Sequence, residues 1–274
     1  MDIVSLRQAL GPALLELLRL CVWLLLLTII FLPIERRWGI HKQKFFRKAF
    51  GTDLVYYFLS SLAPRLFLVI PMTFLAAAVH RYEPAAFYTW ASGLPGVVRF
   101  LLALIAGDFG VYWAHRWSHE IPFLWRFHKI HHSAEEMDWL VNSKAHPVDI
   151  LLTRISGLVP MYVLGLAQPM GDRLDWTPML VTIAGTMWGF FIHSNWNLRL
   201  GWFEHVLSTP GFHHWHHTND GPEVLNKNYA AMVPMLDAVF GTLYLPARWP
   251  GKYGTDAPSP SGLGEQLLEP LLPK

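Results

Sequence analysis

The run LLELLRLCVWLLLLTIIFL, from Leu14 to Leu32, is broken only by Glu16 and Arg19. It matches the roughly 20 apolar residues that a helix needs to cross a bilayer. In hydrocarbon no water is present to satisfy backbone N–H and C=O groups, so the chain must satisfy them itself, and helices do so. Four more apolar stretches follow, giving a set of about Gly11–Pro33, Leu54–Val79, Val97–Trp113, Ile150–Ala167 and Met179–Ile192. Arg65, Asp108 and Arg154 interrupt the middle three, and the last is short, so some are expected to be tilted or re-entrant. The first run is too long, and lacks the small-residue cleavage site, for a secretory signal. Charged residues make up 15% of the chain, against about 25% in soluble domains. Trp38, Trp90, Trp176, Trp202 and Trp249 flank apolar runs, as interfacial anchors do. The predicted fold class is all-α: a polytopic integral membrane helical bundle with a cytoplasmic helical cap.

Three function classes drop out early. A net charge of +2 gives no reason to expect a nucleic-acid partner. The single cysteine, Cys21, allows no disulfide framework and no thiolate metal site. Any metal must therefore be held by nitrogen and oxygen.

Orientation follows from ERRWGIHKQKFFRK, Glu35 to Lys48, which holds six Lys/Arg and one acid. The positive-inside rule places this loop in the cytoplasm, and its cations also suit anionic lipid heads. Two predicted spans separate it from HRWSH, and two more lead to HHWHH. Parity thus returns every histidine cluster to the cytoplasmic face.

Those clusters carry the chemistry. HRWSH holds His115 and His119, HKIHH holds His128, His131 and His132, and HHWHH holds His213, His214, His216 and His217. Spacings of three and four put imidazoles on one face of a helix, and imidazole is the commonest metal ligand. Pro122 suits the first turn of the HKIHH helix. Thr209 and Pro210 suit the cap and first turn of the HHWHH helix. His193, at the end of the last apolar stretch, completes nine candidate ligands: His115, His119, His128, His131, His132, His193, His213, His216 and His217. Nine suit two metals with four or five ligands each and open positions for chemistry. An all-imidazole set suits iron, zinc or copper.

Four residues are candidates for supporting roles. Asp108 stands 4, 3 and 4 residues from Tyr112, His115 and His119 in succession, and is expected to accept the outer ring N–H of a ligand. Asn197 is expected to hold a metal-bound water. His146 is open as ligand, supporting group or helix cap. His214, off the common face, is expected to support the site or lie on the surface. Residues 1–100 form membrane segments and the basic loop, 101–246 the catalytic region, and 247–274 a loosely ordered tail.

DFGVYWAHRWSHEIPFLWRFHKIHHSAEE from Asp108, TPGFHHWHHTND from Thr209 and NKNYAAMVPMLDAVFGTLY from Asn226 resemble the motifs of the fatty acid hydroxylase superfamily. That group includes sterol desaturases, sterol methyl oxidases, alkylglycerol monooxygenase and carotenoid hydroxylases. The resemblance covers about Leu101 to Pro246. It implies a non-haem di-iron centre, zinc being possible as isolated, held by the nine histidines named above. O2 would be co-substrate for hydroxylation or desaturation of a lipid C–H bond. The lipid could be a fatty acyl, sterol-like or other isoprenoid compound drawn from the bilayer. No GxGxxG, iron–sulfur cysteine set or cytochrome b5-like segment occurs, so a separate ferredoxin, cytochrome or reductase, fed by NAD(P)H, is implied. The implied location is the bacterial inner membrane. Ala230 stands where the family often has NYG, Leu236 where a Trp often precedes the Asp, and Asn197 where a second histidine often follows His193. Two other readings stay open. One is a membrane zinc hydrolase using Glu135, Glu136 or Asp138 as base, although no HExxH occurs. The other is a non-catalytic metal-binding protein.

Overall fold

The computed structural model describes residues 3–82, 85–167, 176–256, 260 and 262–272. The elements are α1 (Ile3–Trp38), α2 (Phe50–Phe67), α3 (Val69–Tyr82), α4 (Ala85–Ser92), α5 (Gly96–Glu120), α6 (Pro122–His132), α7 (Pro147–Val163), α8 (Thr177–His193), α9 (Pro210–His216), α10 (Met235–Val239) and α11 (Leu263–Leu268). Among the described residues the β-structure amounts to two isolated bridges, Gly39 with Trp196 and Thr218 with Tyr253. The molecule is a helical membrane protein.

Among the described residues three stretches are long and apolar enough to cross a bilayer: Gly11–Trp38, Phe50–Val79 and Gly96–Glu120. The sequence suggests five. The remaining two correspond to α7 and α8, of 17 residues each, at the short end of what spans. Gly165, at φ 63°, stops α7. Its N–H returns to Tyr162 O and that of Leu166 to Met161 O, the glycine-dependent closure that ends many helices. The expected loop 168–178 lies largely outside the described residues. The second span is interrupted at Leu68, three residues before Pro71. A proline inside a helix lacks the N–H and crowds the carbonyl one turn back.

α5 is the axis of the histidine region, and α7 lies against it. Gly107 and Gly110 on α5 face Gly157 and the Ser156 carbonyl on α7, and a Cβ at Gly110 would run into that carbonyl. Small residues at such crossings let helix backbones approach closely. A buried ionic cluster ties the basic loop to the histidine region. Arg47 donates to Asp53 at 2.7 Å and to Asp138 at 2.6 and 2.8 Å. Lys144 lies 3.5 Å from Asp53. These bonds fix the single-turn helix Trp139–Ser143 and the Lys144 backbone that follows it.

The C-terminal tail departs from expectation. α11 and the turn after it dock on α6, through Lys129 to Glu269 at 2.9 Å and Arg126 to the Leu272 carbonyl. Gln266 and Pro270 are buried there. The face buried there is not a leucine stripe: Leu268 and Leu271 are 61% and 58% exposed, so apolar spacing gave no signal for this docking.

Candidate metal centre

α5 is one continuous helix through HRWSH, and it ends where Pro122 starts α6. Pro210 likewise starts α9, and the Thr209 hydroxyl accepts the Phe212 N–H. Each proline needs no partner for its missing N–H at a first-turn position. The two HxxHH helices therefore start and stop sharply, with their imidazoles facing one another.

All nine candidate ligands converge, in two sets. His115, His119, His128, His132 and His216 form one, and His131, His193, His213 and His217 the other; within each set one nitrogen per ring lies within 4.8 Å of all the others. Each HxxHH motif is shared. α6 gives His128 and His132 to the five-histidine set and His131 to the four-histidine set. α9 gives His213, and His217 just past its end, to the latter and His216 to the former. The sets adjoin: His132 stacks on His217 with centroids 4.4 Å apart.

Ring orientation tells which nitrogen faces inward. The Nδ1–H groups donate outward: His115 to Tyr229 O at 2.7 Å, His131 to Lys144 O at 3.0 Å, His193 to Gly189 O at 2.7 Å and His216 to Lys227 O at 2.9 Å. His128 Nδ1 meets the Asp149 carboxylate at 3.0 Å, and His119 Nδ1 meets Asn226 Oδ1 at 3.2 Å. A neutral imidazole that donates through Nδ1 has a bare lone pair on Nε2. Burial and the neighbouring imidazoles hold His132, His213, His216 and His217 neutral well below the usual histidine range, and bring His131 down to about 3.

Bare lone pairs facing one another repel. Yet Nε2 of His128 is 3.1 Å from those of His115 and His132. His193 Nε2 is 3.1 Å from His131, 3.0 Å from His213 and 3.3 Å from His217. The buried Nε2 atoms of His119 and His216 have no hydrogen-bond partner. A cation removes the conflict. Metal–imidazole bonds of about 2.0–2.1 Å separate adjacent ligand nitrogens by roughly 2.9–3.4 Å, for right-angled or tetrahedral geometry. The donor set thus fits two metal ions.

The supporting residues differ from expectation. Asp108 touches no histidine. It lies two turns below His115, about 10 Å along the axis, and accepts the backbone N–H groups of Ala231, Met232 and Val233 at 2.8–3.2 Å. Asp237 takes those of Tyr229 and Ala230. Between them the two carboxylates fix the segment that carries Tyr229 O to His115. The carboxylate that does meet a ligand ring is Asp149, at the start of α7. Asn197 is also not at the centre. α8 ends at His193 and Ser194 is extended, so the one-turn spacing fails, and Asn197 Oδ1 instead accepts the Trp249 indole N–H at 3.0 Å. His146 is the helix cap: Nδ1 accepts the Val148 N–H and Nε2 donates to Leu267 O. His214 is buried rather than on the surface. It bonds Tyr253 Oη at 2.8 Å and Ser194 O at 3.0 Å, holding the backbone just past His193.

The sequence reading missed Asp149 and the carbonyls. Asp149 carries one usable signal, an acid in the first turn of an otherwise apolar helix, the same signal that singled out Asp108. Asn226 and Asn228 take φ of 57° and 58°, a left-handed conformation that asparagine tolerates better than most residues. They bend the chain so that Lys227 O and Tyr229 O reach two rings.

The fatty acid hydroxylase family profile matches residues 100–242. The chain is 30% identical to the ornithine lipid hydroxylase OlsE of Rhizobium tropici over 79% of its own length and 62% of that protein. It is 31% identical to alkylglycerol monooxygenase of Danio rerio over 52% of its length, and 28% identical to a Delta(7)-sterol 5(6)-desaturase of Gibberella zeae over 43%. It spans 29% and 34% of those two proteins. No solved structure matches the chain. The profile covers just over half the chain and both HxxHH helices, and on that ground the chain belongs to the fatty acid hydroxylase family.

Proposed function

We propose that this membrane protein is an O2-dependent oxidoreductase that hydroxylates or desaturates a C–H bond of a lipid. The observation that carries the reading is the pair of histidine sets with Nε2 lone pairs turned inward 3.0–3.3 Å apart. Family membership then favours iron as the metal. Two irons, when bound, supply the O2 activation that an inert C–H bond requires and side chains cannot. The protein's own part is to bind and orient. Nine imidazoles hold the pair, Asp149 raises the basicity of His128, and the four outward carbonyls fix the ring tautomers. The five-histidine set is only half-buried at His115 and His119, the side on which substrate has access. The apolar helices imply a substrate taken from the bilayer, and the relatives' names point to lipids. Electrons come from a separate ferredoxin, cytochrome or reductase drawing on NAD(P)H. The basic loop supports a site on the cytoplasmic side of a bacterial inner membrane.

Against a zinc hydrolase, Asp138 is committed to Arg47 and to the N–H groups of Leu140 and Val141, which takes from that reading one of its three acids. The deciding experiment supplies iron-loaded protein with a reductant, a lipid extract and isotopically labelled O2. Label in the product is expected. Anaerobic turnover with product oxygen from water overturns the oxygenase.

A further inference from the structure

A second feature lies away from the histidines, where α1 leaves the membrane. A cavity of about 380 Å³ opens there, lined in part by Leu32, Arg36, Arg37, His41, Lys42 and Lys44. That volume is within the range of small-ligand sites, about 300–1,000 Å³. Two acids, Glu35 and Asp138, also line it, but both are committed. Glu35 Oε1 accepts the N–H groups of Trp139 and Asn195 at 2.8 and 2.9 Å, and Asp138 is bound by Arg47. The cations are not. Arg36 spends one N–H on the Gln43 carbonyl, and no ion pair among the described residues engages Arg37, Lys42 or Lys44. His41 Nε2 is buried without a partner. The result is a small cavity with four available cations and a spare imidazole nitrogen.

The cavity also has an apolar approach. Leu25, Ile29, Leu32 and Arg36 are spaced by four, three and four, one stripe on α1. Leu25 and Ile29 are each 59% exposed, and Leu32 and Arg36 line the cavity. The stripe thus runs from the membrane interior to the basic pocket. Trp38 and Phe46, 54% and 74% exposed, flank it with aromatic surface suited to the bilayer interface.

We infer that this cavity binds the phosphate head group of an anionic phospholipid, with an acyl chain along Leu25 and Ile29. Guanidinium and ammonium groups are the usual partners of phosphate oxygens. Clusters of basic residues at the end of a membrane helix recognise anionic lipids, each worth a factor of about five in affinity. The apolar stripe is what assigns the phosphate to a lipid rather than to the free ion. The inference does not depend on the oxygenase reading.

The test uses the full chain in neutral detergent, titrated with short-chain phosphatidylglycerol, phosphatidylcholine of the same chain length, and sodium phosphate. Native mass spectrometry reports binding and its stoichiometry. Saturable one-to-one binding of phosphatidylglycerol is expected, with weak binding of phosphatidylcholine. The triple variant Arg37→Gln, Lys42→Gln, Lys44→Gln should lose about 100-fold in affinity for phosphatidylglycerol, with its metal content unchanged as the check on folding. Lys42→Arg with Lys44→Arg should retain it. Lys48→Gln removes a cation of the same loop outside the cavity and should change little. Equal losses from Lys48→Gln and from single cavity variants would mean diffuse attraction and overturn the site. Equal affinity for sodium phosphate and phosphatidylglycerol would overturn the lipid assignment, and unaltered binding by the triple variant would overturn both.

Discussion

The five-histidine and four-histidine sets share α6 and α9, with α5 completing the larger and α8 the smaller, yet they are held differently. In the larger set, His115, His119, His128 and His216 have their outward nitrogens bound, one of them by a carboxylate. In the smaller set only His131 and His193 do, both to carbonyls, while Nδ1 of His213 and His217 is buried without a partner. The larger set is half-buried at His115 and His119, whereas all four members of the smaller are buried. Orientation is thus specified by hydrogen bonds at the more open set and mainly by packing at the enclosed one. A ring near solvent can turn unless something holds it. A ring enclosed by other side chains has nowhere to go.

The comparison breaks most directly through the metal. His128→Ala removes an inward nitrogen at the carboxylate-held position, and His193→Ala removes the nitrogen that lies 3.0–3.3 Å from three others in the enclosed set. Each should lower bound metal from about two ions per chain toward one and abolish turnover, because the remaining ligands no longer close a site. Elemental analysis of the purified variants decides this. Two ions and full activity in both would dismantle the two-set description.

Asp149→Asn addresses the asymmetry itself. The amide still meets His128 Nδ1 but no longer raises the basicity of the ring. The expected loss is about 10- to 100-fold in metal affinity or activity. It should fall on one of the two metals, so a chelator titration should become biphasic. Uniform weakening of both ions would mean that the sets behave as one unit.

The gathering of eight histidines could be read from spacing, because three- and four-residue intervals on sharply capped helices leave few other outcomes, and His193 from its place at the end of an apolar stretch. What holds them could not. Four of the outer partners are backbone carbonyls, which have no residue signature. Of the two side-chain partners, Asn226 and Asp149, the latter is 21 residues from His128 and reaches it only because α7 folds back along α5. Asp108 shows the same limit from the other side. Burial of the acid was foreseeable, but whether its partner would be a ring or a loop depended on where residues 231–233 pass. The spans were also only partly legible. Hydropathy locates apolar stretches, but the length of α7 is set by the turn at Gly165.

Asp108→Asn tests that corrected role. One carboxylate oxygen pair now serves three backbone donors. An amide would offer one acceptor and turn an NH2 toward N–H groups. Stability should fall by roughly 1–3 kcal/mol, the cost of leaving buried donors unsatisfied. Because the 229–233 segment presents Tyr229 O to His115, the five-histidine set should loosen while the other does not. Thermal unfolding with metal analysis reads both effects. A variant of normal stability with weakened metal binding at both sets would restore a direct role at the metals.

Asn226 allows the smallest and most selective perturbation. Its side chain meets the outward nitrogen of His119, the half-buried ring, and its backbone sits at φ 57°. Asn226→Gly keeps the left-handed conformation without strain and deletes only the side-chain contact. Asn226→Ala deletes the contact and adds a conformational cost of roughly 1 kcal/mol. If hydrogen bonding orients the open set, both variants should weaken the same metal a few-fold, well short of the loss in Asp149→Asn, whose partner is a charge. Alanine should be less thermally stable than glycine. If packing alone orients His119, glycine should bind metal as the parent does, and the contrast between the two sets would reduce to the single carboxylate on His128.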